Sequence, residues 1–165
     1  MKKSSERNLI LYLFFFIGFG SLIYEICWVR AATLTFGVSI FAYSVVLTAY
    51  MGGMAIGSIL IGKWADRTPR PWAVMAWLQV GLAMMGLITP FALHGMASLY
   101  ATIARNLAPG IAVLTMLRLS LAVLTLTPPA IFIGAGFPLI SRLYARQRGQ
   151  VGSDVGRLYA VNTLG

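Results

Sequence analysis

Four long apolar stretches, parted by short polar segments, set the pattern of this chain. Apart from His94, no side chain that titrates near neutral pH falls within residues 8–24, 31–62, 71–104 or 119–141. A helix rises about 1.5 Å per residue, so about 20 apolar residues cross a hydrocarbon core of about 30 Å. The pattern predicts membrane-spanning helices at about 8–29, 40–62, 71–93 and 111–139. Between the last two, Met96, Leu99, Tyr100, Ile103 and Leu107 recur at three and four residues. That periodicity predicts a short amphipathic helix over 96–107 on the outer surface, closed by Pro109-Gly110. After a turn at Gly149–Ser153, Leu158, Val161 and Leu164 repeat every three residues. They predict the start of a fifth helix over 154–165, capped by Ser153 or Asp154. Two or three turns cannot cross a membrane, so the expectation is a fragment of a longer protein. The fold class is all-α integral membrane, with residues 1–165 forming a single transmembrane region.

Within the spans, residue type predicts packing. Phe14-Phe15-Phe16 reads as lipid-facing bulk, and Tyr24 and Trp28, one turn apart, as an interfacial aromatic anchor. Ala49, Gly53 and Gly57 recur every four residues and share one helix face, with Ser58 and Gly62 on the neighbouring face. Small residues let a second backbone approach closely, so these three predict a helix-packing seam. Pro71 suits the first position of a helix. Pro128-Pro129 predicts a kink in the fourth span, with Thr125 and Thr127 placed to satisfy the carbonyls the prolines free. Gly134, Gly136 and Pro138 then predict an irregular segment.

Composition agrees. The 165 residues are 59% hydrophobic and 10% charged, where a globular chain carries about 25% charged residues. A net charge of +9 raises the question of nucleic acid. No basic cluster joins a polar, aromatic-bearing surface outside the spans, so nucleic acid is excluded as a partner. The charges follow the positive-inside rule instead. Lys2, Lys3, Arg7, Lys63, Arg67, Arg70, Arg142, Arg146, Arg148 and Arg157 fall on one side, and only Arg30, Arg105 and Arg118 on or near the other. Both ends are therefore expected in the cytoplasm, with the lipid bilayer as the first partner. The first apolar run continues past Tyr24 without a clear small-x-small cleavage site, so it reads as a retained span rather than a signal peptide. Cys27, the single cysteine, has no intrachain disulfide partner and reads as a small hydrophobe. His94 has no second His, Cys or carboxylate at ligand spacing, so no metal site is expected.

Glu25 is the sharpest single residue. A carboxylate at the centre of a spanning helix costs about 2.5–3.5 kcal/mol, less toward its edge, so Glu25 should face the bundle and find a partner. Arg30 lies five residues on, about 140° around the helix, and fits poorly. Arg118 in the fourth span stands at comparable depth, and a Glu25–Arg118 contact, direct or through water, is expected.

The segment Gly62-x-x-x-Asp66-Arg67-x-x-Arg70 resembles the cytoplasmic loop between the second and third helices of major facilitator transporters, where such charges latch helix ends together. Pro69 stands where that motif usually has Gly, and Pro71 where it has a second base. Three further strings, SLIYEICWVR from Ser21 to Arg30, AIFIGAGFPLISR from Ala130 to Arg142 and GRLYAVNTLG from Gly156 to Gly165, resemble the membrane region of spermidine synthase-like proteins. Their recognisable cores are Tyr24-Glu25-x-x-Trp28-x-Arg30 and Gly156-x-x-Tyr159-Ala160-x-Asn162-Thr163-x-Gly165. The resemblance implies a bacterial inner or plasma membrane, and further helices and a soluble aminopropyltransferase-type domain as partners in the same protein. That domain binds decarboxylated S-adenosylmethionine in a Rossmann-like fold, with a Gly-rich turn and acidic residues that hold amines. This chain carries Glu6, Glu25, Asp66 and Asp154 as its acidic residues, none paired by spacing, and no strand–Gly-rich-loop–helix unit. No catalytic, cofactor-binding or metal residue transfers to it. The residues expected to matter are Glu25, Arg30, Arg118, Asp66, Arg67, Arg70, Tyr159 and Asn162, with Ala49, Gly53 and Gly57 for packing. The leading expectation is a membrane anchor that also passes substrate to the enzyme domain. The alternatives are the N-terminal part of a major facilitator-type transporter and a small membrane scaffold.

Overall fold

The computed structural model describes residues 2–36, 40–65, 67–107, 110–145 and 151–164, all of them helical apart from the turns around 67–70 and 110. The helices are α1 (Lys2–Phe36), α2 (Ile40–Ala65), α3 (Pro71–Leu107), α4 (Ile111–Ala145) and α5 (Val151–Leu164). The first four are long and apolar enough to cross a membrane, with candidate spans Asn8–Thr33, Tyr43–Trp64, Pro71–Asn106 and Ile111–Tyr144. The chain is an all-α, polytopic membrane protein.

Helix α4 is the hub, touching α1, α2, α3 and α5. Its closest partner is α2, and small residues on both sides explain why. A Cβ at Gly53 would meet the Thr127 carbonyl oxygen at 2.9 Å, and one at Gly57 would meet the Ala135 backbone nitrogen at 2.9 Å. A Cβ at Gly134 would run into the backbone of Met54. Ala49 is buried at the same interface, in the cluster that holds Ala122, Leu126 and Ala130. Contacts that advance together along both chains make α2 and α4 parallel. Helix α3 runs the other way, since Arg118 near the start of α4 meets Tyr100 near the end of α3. Arg142 near the end of α4 meets Thr68 just before α3 begins.

The interior divides along the bundle axis. One cluster centres on Trp28, Val46, Tyr50, Leu93, Met96 and Leu126; the other on Ile10, Phe14, Met75, Leu139, Tyr144 and Leu158. Large apolar side chains such as Phe16, Ile26, Ile59, Trp77, Phe91 and Leu124 point outward, as lipid-facing residues do.

Several expected details differ. The chain stays helical through His94-Gly95, so 96–107 continues α3 rather than forming a separate helix. Leu93 and Met96 on either side of that pair are buried. The Ser98 hydroxyl donates to the Gly95 carbonyl at 2.8 Å and Thr102 to Ser98 at 2.9 Å. Polar side chains that bond their own helix do not break it. Helix α4 also runs unbroken past Pro128, Pro129, Gly134, Gly136 and Pro138. The Thr125 and Thr127 hydroxyls donate to the carbonyls of Leu121 and Val123 at 2.8 and 2.7 Å, one turn before themselves, and not to those of Leu124 and Thr125 that the prolines free. Helix α5 begins at Val151, which puts Ser153 and Asp154 inside its first turn rather than at a cap. Of the three consecutive phenylalanines, Phe14 points inward against Phe137 with ring centroids 5.8 Å apart, because successive helical residues turn by about 100° and cannot share one face. Trp28 is buried against Tyr50, not placed at an interface.

Candidate functional site

Between the two apolar clusters lies a cavity of about 420 Å³, walled by α1, α2, α4 and α5. Its polar lining is Ser21 and Glu25 from α1, Tyr50 and Ser58 from α2, and Tyr159, Asn162 and Thr163 from α5. Helical spacing assembles it. Ser21 and Glu25 are four residues apart on one face of α1, and Tyr50, Met54 and Ser58 follow the same rule on α2. Phe14, Ile133 and Phe137 supply part of its apolar lining.

Each polar group has a definite setting. Ser21 is buried and its hydroxyl donates to the Gly18 carbonyl at 2.8 Å. Tyr50 is buried on the opposite helix and lines the same cavity as Ser21 and Glu25. Glu25 itself is half-buried. On the far wall the Ser58 hydroxyl donates to the Gly134 carbonyl at 2.9 Å. Pro138 lacks an N–H, so Gly134, four residues earlier, has no helical donor. Ser58 supplies one from the neighbouring helix, which ties the kink-prone part of α4 to α2. Helix α5 closes the side of the cavity by seating Asn162 on Gly18, where a Cβ would come within 2.9 Å of the Asn162 Oδ1.

A carboxylate, a phenol and several hydroxyls around a chamber of this size suit a small ligand bearing an ammonium group. The carboxylate supplies the charge, and Tyr50, Ser21 and Asn162 supply hydrogen-bond acceptors. An intramembrane carboxylate facing a cavity is also the usual mark of a ligand or ion path.

The structure brings Glu25, Tyr159 and Asn162 to this one chamber and disperses the other residues singled out by sequence. Arg118 donates from Nη2 to the Tyr100 hydroxyl at 2.8 Å, with its guanidinium 4.7 Å from the centre of that ring. This contact is to α3, whereas the sequence points toward Glu25. Arg30 is exposed near the end of α1. Arg67 and Arg70 are exposed in the turn before α3, and Asp66 lies outside the described residues. The turn is instead held by Arg142, whose Nη1 donates to the buried Thr68 carbonyl at 3.1 Å. Sequence reading passed over Ser21, Tyr50, Ser58 and this role of Arg142. The signal for the first three was present as Ser21/Glu25 and Tyr50/Ser58, polar pairs at helical spacing on otherwise apolar helices.

Comparison with protein-family models, with curated proteins and with solved structures yields no match to this chain.

Proposed function

We propose that this chain is the membrane-embedded N-terminal region of a spermidine synthase-like protein, and that its mid-bundle chamber holds the ammonium group of a small amine. The single observation that carries the amine reading is the half-buried Glu25 facing Ser21 and Tyr50 in a cavity of about 420 Å³. The strings from Ser21 to Arg30 and from Gly156 to Gly165 support the family reading further, because Glu25, Tyr159 and Asn162 within them line that chamber. In this reading both ends face the cytoplasm of a bacterial cell, and the helices anchor a soluble transferase domain and deliver a polyamine-like substrate to it.

The test is calorimetric titration of putrescine and spermidine into the chain reconstituted in lipid nanodiscs. Glu25→Gln keeps the shape of the side chain and one acceptor oxygen, and removes its charge. Affinity should fall about tenfold or more with that change, the worth of one charge-assisted hydrogen bond. Equal affinities for the two forms would remove the amine reading.

A second reading, the first part of a major facilitator-type transporter, is favoured by the Arg142–Thr68 contact, which latches the turn between α2 and α3 to the end of α4. The coding sequence beyond Gly165 separates the two. A Gly-rich Rossmann-like domain after more helices would support the synthase, and about a dozen helices alone the transporter.

A further inference from the structure

Glu25 lines a second cavity as well. It measures about 480 Å³, lies between α1 and α2, and is lined by Glu25, Arg30, Thr33 and Tyr43 among others. Leu22 and Glu25 belong to both cavities, so the Glu25 carboxylate stands at their boundary. The lining of the second cavity therefore includes one carboxylate and one guanidinium, both carried by α1, together with the hydroxyls of Thr33 and Tyr43.

These opposite charges do not neutralise each other. Five residues of helix separate Glu25 from Arg30 by a rise of about 7.5 Å and a turn of about 140°, and they form no ion pair. A ligand whose charges are all of one sign meets one favourable and one unfavourable group here. A diamine is attracted by Glu25 and repelled by Arg30, while a simple carboxylate has the reverse experience. Only a molecule bearing both charges, set apart along its length, satisfies both. The guanidinium suits a carboxylate partner especially, since its planar fork can donate two parallel hydrogen bonds.

We propose that the α1–α2 cavity binds a small zwitterion of the amino-acid type, its ammonium on Glu25 and its carboxylate on Arg30. The proposal rests on the reading of Glu25 as an ammonium acceptor, and it adds Arg30 as the residue that selects for a carboxylate.

L-Ornithine and putrescine make a matched pair of probes, because they share a four-carbon diamine skeleton and differ by one carboxylate. Each is titrated into the full chain in phosphatidylcholine nanodiscs. Ornithine should bind about tenfold more tightly than putrescine. Arg30→Gln should erase that advantage by weakening ornithine alone, and Arg30→Lys should restore part of it. Arg30 is exposed, so neither change disturbs packing, and unchanged helicity by circular dichroism verifies this. Ornithine binding no more tightly than putrescine, or Arg30→Gln weakening both alike, overturns the zwitterion site. If putrescine binding still depends on Glu25 in that case, the amine chamber survives alone. If neither probe binds, both readings fall.

Discussion

Ser58 shows how one hydroxyl can decide the behaviour of a whole helix. Proline in a spanning helix is tolerated when something else donates to the carbonyl it strands. For Pro138 that something is Ser58, reaching from α2 to the Gly134 carbonyl at 2.9 Å. Ser58→Ala leaves a carbonyl without its donor in an apolar interior. It should destabilise the bundle by about 1 kcal/mol, in the range of interhelical hydrogen bonds in membranes. Unfolding in graded detergent mixtures measures this, and an unchanged midpoint would show that Gly134 finds another donor. Nothing in the sequence between the two residues links them, as they stand 76 positions apart. Glu25, by contrast, was legible, because a carboxylate amid apolar residues announces itself by its cost. Its surroundings were not. Arg118 was the only cation at similar depth by sequence, yet which face of α4 looks toward α1 depends on how four helices pack, and the structure turns Arg118 toward Tyr100.

At the scale of elements, the number and type of helices followed from hydropathy because lipid leaves a spanning segment almost no choice of backbone. Their ends did not follow. The polar character of His94-Gly95 predicted a break, but a helix that bonds its own serines and threonines can carry polar residues past the membrane edge without unwinding. The seam of Ala49, Gly53 and Gly57 gave the face of α2 that packs, though not that α4 would be its partner. Here a matched pair of substitutions separates helix packing from glycine's intrinsic effect. Gly57→Val forces side-chain atoms into the Ile131 carbonyl and Ala135 nitrogen of α4 and should cost about 1–3 kcal/mol. Gly52→Ala, on the same helix, meets nothing within 4 Å. It should be neutral or stabilise by about 0.5–1 kcal/mol, as Ala replaces Gly in a helix. Thermal unfolding of both in one detergent makes the comparison, and equal losses would mean that the two helices do not pack through this face.

The whole molecule combines a parallel α2–α4 pair with α3 running antiparallel to α4, and this fixes which helix ends share a side. The basic ends of α2 and α4, at Lys63 and Arg142, lie together with the start of α3, as the Arg142–Thr68 bond requires. The end of α3, with Arg105 in its last turn, lies opposite. The fold thus collects most of the cations of the described residues on one face, and by the positive-inside rule we propose that this face is the cytoplasmic one. On that proposal the α1–α2 end that carries Arg30 and Tyr43, away from Lys63, faces outward. Single cysteines at two exposed positions test it, in a Cys27→Ser background that removes the native thiol. Asn106→Cys should react with a membrane-impermeant maleimide in intact cells. Lys63→Cys should react only after the membrane is opened. The reverse pattern would invert the molecule and place the Arg30 cavity on the cytoplasmic side. Labelling of both in intact cells would break the antiparallel arrangement of α3 and α4 as a transmembrane pair.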